Sequence, residues 1–297
     1  MVNYWYGNAL VFTRNDVLDG VGFRMTEVMS NLYQMMVVLY AISIMLYFID
    51  YFYKKAFIRR SAFWLISIVW VMQTSFIVIN IIETKRFPIL SLSEGIYFYA
   101  WLLVTLSIFL HCIARVDLPV FFINILGFIF MTIRLFAPNN LNPVLKTLES
   151  EMLFIHISFA IFAYAAFSVS FVFSILYLIL YHLLKKKKYT NIWSRLPSLT
   201  QMDQWMNYSI IIGIPIMLIS LLLGLEYAFM KVDSVSILDI KIITSFIILI
   251  IYMVVLILKR SGKMTGTSFA WIQIYAYFIV LINFFLGSKF SQFHLWY

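Results

Sequence analysis

The chain has 297 residues, 63% of them apolar and only 12% charged, with a formal net charge of +9 and a mean hydropathy of +0.94. Soluble domains carry roughly 45–50% apolar and about 25% charged residues, so this chain lacks the polar surface to cover itself in water. That excludes an ordinary soluble enzyme or nucleic-acid-binding domain, and the unit to count becomes the membrane span of about 20 apolar residues.

Residues 1–28 carry Arg14, Asp16, Asp19 and Arg24 among scattered apolar residues. They lack the basic start and long apolar core of a signal peptide, so they read as a short outside tail. Met25 and Met29, just before the first span, leave a later start open. Eight spans are predicted after it, near residues 30–50, 63–82, 94–114, 118–137, 153–184, 207–228, 238–258 and 268–289. The sixth ("YSIIIGIPIMLISLLLGLEYA") and the eighth ("FAWIQIYAYFIVLINFFLG") are the most continuous, while Asn124 and Gly127 interrupt the fourth. Glycine and proline are few (10 and 6) and no short repeat is present, so residues 29–297 are expected to form one integral membrane domain, an all-α polytopic helical bundle.

The loops joining odd spans to the following even ones hold 13 basic residues against 3 acidic ones. The opposite side holds 9 basic against 10 acidic. By the positive-inside tendency the first side is cytoplasmic and both termini lie outside. The overall positive charge therefore records topology and contact with the lipid bilayer, not nucleic-acid binding. The run "HLLKKKKYTNIWSRLP" is read in the same way, as an anchor on the inner side.

Within the spans, Gln73 and Asn80 are seven residues apart and share one helix face. Polar groups in lipid turn toward other helices, so these two are expected to hold the bundle together. Cys112 is the sole cysteine, which rules out an internal disulfide or a CxxC redox pair.

The four histidines all fall near the ends of spans. His156 opens the fifth span and His294 follows the eighth, both on the outer side, whereas His111 and His182 end the third and fifth on the inner side. His156 and His182 are 26 residues apart, about 39 Å along a helix, which exceeds a hydrocarbon core of about 30 Å. Two outer imidazoles from different helices are suited to clamping a flat metal cofactor such as haem. Interfacial histidine is also common for no more than its polar tip, and spacing alone does not choose between these readings for either pair. No HxxxH or HExxH and no acid–histidine cluster points to zinc or di-iron, and no nucleophile–base pair or acid pair points to an enzyme.

Three segments resemble a known family. "LESEMLFIHISFAIFAYAAFSVSFVFSILYL" is similar to the span of the CcsA/CcmC cytochrome c assembly family that begins with an outer histidine and runs into a Tyr-Ala-Ala stretch. "RFPILSLSEGIYFYAWLLVTL" resembles that family's Pro-led segment entering a Tyr- and Trp-containing span, and "FIVLINFFLGSKFSQFHLW" its last span, ending in Asn-Phe, a glycine and a histidine. The resemblance implies that His156 and His294 are the outer haem ligands. It departs from the family at the loop of sense W-G-x-x-W-x-W-D. Laid without a gap on residues 224–239, that loop keeps Asp239 and, two residues on, Lys241, but Val232, Ser236 and Leu238 stand where the tryptophans belong. Ile257 stands where CcsA-type members have an intramembrane histidine, and Lys85–Arg86 where some have an external one.

A retained histidine pair without the tryptophan platform, together with "SRLPSLTQMDQWMNYSIIIGIPIMLISLLLG", most resembles the HemX branch of the family. That branch implies a non-enzymatic membrane protein with haem as cofactor and glutamyl-tRNA reductase as partner, met directly or through a protease. Its expected role is to lower the amount of the reductase and so restrain haem synthesis. The alternative is a haem-handling protein of cytochrome c assembly at the outer face, against which the missing tryptophans argue. Haem propionates call for cations, and Arg86, Lys241 and Lys289 are the outer cations nearest the spans, although each also suits snorkelling to headgroups. Asp239 and Lys241 are expected to form an ion pair at the start of the seventh span.

Overall fold

Lipid offers a backbone amide no hydrogen-bond partner, so a chain with this pattern satisfies its amides within helices. The computed structural model describes residues 14–53, 55–114, 117–137, 151–187, 196–231 and 239–287, and among them there is no strand. The helices are α1 (Arg14–Tyr53), α2 (Ala56–Thr84), α3 (Leu92–Ala114), α4 (Asp117–Ile133), α5 (Glu151–Lys185), α6 (Leu199–Lys231), α7 (Ile240–Arg260) and α8 (Gly266–Ile282). A 3-10 turn (Arg134–Phe136) follows α4, and a π-helical turn (Asn283–Gly287) follows α8. Eight of these helical stretches are long and apolar enough to cross a membrane, matching the eight predicted spans, so this is a multi-pass membrane protein.

Several helices overrun the predicted spans. The backbone of α1 is already helical at Arg14, 15 residues before its membrane stretch at Met29. α6 begins at Leu199 because Ser198 and Gln201 cap it reciprocally: the Gln201 amide donates to Ser198 Oγ at 3.2 Å and the Ser198 amide to Gln201 Oε1 at 3.0 Å. α3 starts on the same device, the Glu94 amide donating to Ser91 Oγ at 3.2 Å and the Ser91 amide to Glu94 Oε2 at 3.0 Å. Asp239 caps α7, its carboxylate accepting the Lys241 amide at 2.9 Å. That backbone bond is one contact within the expected Asp239–Lys241 pair.

α1–α4 form one half of the bundle and α5–α8 the other, with α5 touching α3 and α4 across the seam and α6 and α8 within its own half. α5 is thus the central helix: 67% of its membrane stretch is buried, against 28% for α1, α2 and α7. Small and polar residues set the close approaches, as expected where lipid removes any hydrophobic drive between helices. The two residues that interrupt the fourth span are the ones that seat it. Asn124 is buried, and its side-chain oxygen accepts from Ser107 Oγ at 3.0 Å and from the Tyr40 hydroxyl at 3.4 Å. A Cβ on Gly127 would lie 2.5 Å from that same hydroxyl. Gln73 is fully buried, its side-chain amide nitrogen against Met131 Sδ at 3.7 Å and its backbone carbonyl accepting from the Tyr97 hydroxyl at 3.1 Å. Asn80 is half-buried.

Two polar clusters tie α5 to its neighbours. Ser168 Oγ meets the hydroxyls of Tyr99 and Tyr277, which are 2.9 Å apart, joining α3, α5 and α8. Nearer one end, the Asn283 side-chain amide donates to Ser245 Oγ at 2.9 Å and to the Tyr164 hydroxyl at 3.4 Å, while its oxygen accepts from Thr244 at 2.6 Å.

Candidate functional site

Alternation of the spans puts the ends of α2, α4, α6 and α8 and the starts of α3, α5 and α7 at one end of the bundle. His156 lies there, in the second turn of α5. Its seat is a stripe on α6. Gly213, Met217, Ser220 and Gly224 follow one another at helical spacing and face α5 in antiparallel register. A Cβ on Gly213 would lie 2.5 Å from the Phe167 ring, and one on Gly224 2.5 Å from His156 Cε1. Between the two glycines, Ser220 Oγ donates to the His156 carbonyl at 2.8 Å, and the Ser220 carbonyl lies 2.7 Å from His156 Nδ1.

That last contact decides the tautomer. A carbonyl only accepts, so Nδ1 carries the proton and the imidazole lone pair sits on Nε2. An Nδ1–H donated to a backbone carbonyl is the arrangement by which proteins orient a histidine whose other nitrogen ligates a metal. The ring borders a cavity of about 80 Å³ walled by Tyr164, Met217, Tyr227, Phe246 and Phe284, with Ser245 and Lys241 as polar members.

These residues fit one side of a haem site. The donor is a tautomer-fixed imidazole, the walls are apolar and aromatic, and a cation stands at the rim. The cavity among the described residues is smaller than the roughly 300–1,000 Å³ of pockets that enclose a drug-sized ligand, so it admits an edge of a macrocycle and not the whole. His294 and Lys289 lie outside the described residues, as do Val232, Ser236 and Leu238 of the loop that departs from the family pattern.

The remaining site candidates fall in different places. Lys241 is in the cavity wall beside His156. Arg86 is held by Glu94 in a two-pronged ion pair, Nη2–Oε1 2.7 Å and Nη1–Oε2 3.1 Å, with both side chains mostly buried. The same carboxylate caps α3, so Arg86 is committed to the α2–α3 turn. At the opposite end of the bundle, His111 stacks on Phe63 at 4.2 Å and has Nδ1 3.7 Å from Asp117, which also pairs with Arg59 at 3.4 Å. His182 is exposed at the end of α5.

Reading the sequence for histidines and cations passed over Ser220 and Gly224, which position His156. Their signal was present as a small-x-x-x-small pair in the sixth span, the spacing that lets two membrane helices approach closely. It also passed over Arg134, described further below.

The cytochrome C assembly protein family matches residues 89–294, from the α2–α3 turn to His294. Two similar proteins bear the name Protein HemX. One, from Bacillus subtilis (strain 168), is 40% identical over 268 residues, covering 90% of this chain and 97% of that protein. The other, from Brevibacillus brevis, is 36% identical over 267 residues, covering 89% and 97%.

Proposed function

Because the chain is a HemX-like member of the cytochrome c assembly protein family, we propose that it restrains haem synthesis from the bacterial cytoplasmic membrane by lowering the amount of glutamyl-tRNA reductase, and that it reads haem on its outer face at His156 and His294. The observation that carries the haem half is the seat of His156. A histidine at a membrane interface needs only water for its polar tip. This one is instead locked by the Ser220 carbonyl at 2.7 Å, with a glycine cleared beneath its ring.

When bound, haem would supply an iron that imidazole can ligate. This chain's own parts are then assigned as follows. His156 would ligate through Nε2, and His294 would be the second ligand. Ser220 holds the tautomer, and Gly224 leaves room for the ring. Lys241 and Lys289 are the cations for the propionates; Arg86 serves the same face through the turn it fixes with Glu94. The protein acts by binding, without catalysis of its own. The reductase is met on the basic side, for which residues 185–206, from the end of α5 into the start of α6, are the assigned segment, either directly or through a protease.

The experiment is an immunoblot of glutamyl-tRNA reductase in cells with and without this protein. The expected outcome is a clear rise on deletion, reversed by the wild-type chain and not by His156→Ala. Unchanged reductase with altered haem distribution or holocytochrome c would replace this reading with haem handling at the outer face, the reading that family membership alone also supports.

A further inference from the structure

The 3-10 turn after α4, on the same end of the bundle as His156, carries a cation that the haem site does not use. The Arg134 guanidinium carbon lies 4.2 Å from the centre of the Tyr33 ring, 4.9 Å from Tyr97 and 5.2 Å from Phe76. These rings come from α1, α3 and α2 and pack on one another, with centres 4.9 to 6.3 Å apart. Both hydroxyl protons in the cage go to backbone carbonyls: Tyr33 donates to that of Met131, and Tyr97 to that of Gln73 at 3.1 Å.

Aromatic rings attract the charge of a guanidinium, and the Tyr33 hydroxyl beside it is a neutral acceptor, but neither supplies a counter-charge. Among the described residues no carboxylate pairs with Arg134, whereas Arg86 has Glu94, Arg59 has Asp117 and Lys259 has Asp203. The Arg134 Nε is shielded from solvent without a hydrogen-bond partner. The cage therefore holds a positive charge in place, and among the described residues no oxyanion meets it. The rest of the turn indicates a source for one. Leu135 and Phe136 are 51% and 86% exposed, large apolar side chains at the last residues of a membrane stretch that ends at Phe136. Such side chains belong among acyl chains, and a cation beside them lies at headgroup depth.

We propose that Arg134 and its cage of Tyr33, Phe76 and Tyr97 form a binding site for the phosphate of an anionic phospholipid, with Leu135 and Phe136 against the acyl chains. The site joins α1, α2, α3 and α4 at one point, so a bound lipid fastens the half of the bundle that lacks the histidine seat.

The wild-type full-length protein gives the first test, through phenylglyoxal modification of Arg134 followed by peptide mass spectrometry. Three settings are compared: maltoside micelles, nanodiscs of dioleoylphosphatidylglycerol, and nanodiscs of a phosphate-free diglucosyl lipid. Modification is expected to be roughly tenfold slower in the phosphatidylglycerol discs than in either phosphate-free setting, as for one charge-assisted contact. Equal rates in all three would overturn the proposal. Protection in micelles by inorganic phosphate or haemin alone would overturn the assignment to lipid. Arg134→Gln gives an independent reading, because phosphatidylglycerol retained on the purified protein in native mass spectrometry should fall by a similar factor. Undiminished retention by a variant that elutes as the wild type does would also overturn it. If that variant does not fold, the wild-type labelling rates decide.

Discussion

Gly224 shows how one residue's worth depends on what lies above it. On an isolated helix, alanine in place of glycine gains about 1 kcal/mol from propensity. Here the added methyl would stand 2.5 Å from His156 Cε1 and 2.7 Å from Nδ1, and overpacking of this kind costs ~1–3 kcal/mol. Overpacking therefore wins, and Gly224→Ala is expected to lower the thermal unfolding midpoint and push the imidazole off the Ser220 carbonyl. If haem binds as proposed, the absorption band of haem-loaded protein is lost in this variant as in His156→Ala. A raised midpoint with the band intact would show that the ring does not rest on that helix. Ser220→Ala is milder, about 0.5–1 kcal/mol, because it removes the hydroxyl bond to His156 and leaves the carbonyl that sets the tautomer.

At the scale of single elements, the helix starts are specified locally. Ser91→Ala removes one arm of the α3 capping box and should cost about 1 kcal/mol. Glu94→Ala removes the other arm and also strands Arg86. The two side chains are 15% and 16% exposed, so the ion pair falls between an exposed one, worth ~0–1 kcal/mol, and a fully buried one, whose breaking costs ~3–5 kcal/mol. A loss of about 2 kcal/mol is therefore expected, and thermal denaturation of both variants should rank Glu94→Ala as the more damaging. The reverse order would mean that Arg86 is held by something other than that carboxylate.

For the whole molecule, the contacts that matter most join helices far apart in sequence. Asn283 bridges Tyr164 on α5 to Thr244 and Ser245 on α7 from the turn that ends α8. Polar bonds between membrane helices are worth about 0.6–2 kcal/mol. Asn283→Leu is expected to cost in that range and to raise amide hydrogen exchange at the cavity ends of α5 and α7 together. A double-mutant cycle with Ser245→Ala should return a coupling, whereas strict additivity would place the two residues outside one network. The same arrangement relates the proposed haem seat to the opposite end of the bundle. α6 carries Ser220 and Gly224 at one end and Asp203 at the other, where Asp203 is pinned 2.5 Å from Lys259 of α7.

The number, order and rough limits of the spans were legible in the sequence alone, because hydrophobic length against bilayer thickness is a local property. The helix starts at Ser91 and Ser198 are also written locally, in a Glu or Gln three residues on that the predicted span limits near 94 and 207 did not use, since a capping box lies within four residues. His156 was visible as a candidate through its place in the span and its family resemblance. What holds it was not visible, because Ser220 and Gly224 lie 64 and 68 residues away and act only once α5 and α6 pack antiparallel. Arg86 and Arg134 make the same point from opposite directions. Both are cations near span ends, only Arg86 was singled out from the sequence, and nothing in their immediate sequence separates them. Tertiary structure closed one against Glu94 and set the other over three rings from three helices, because partners for charge are chosen by proximity in space and not along the chain.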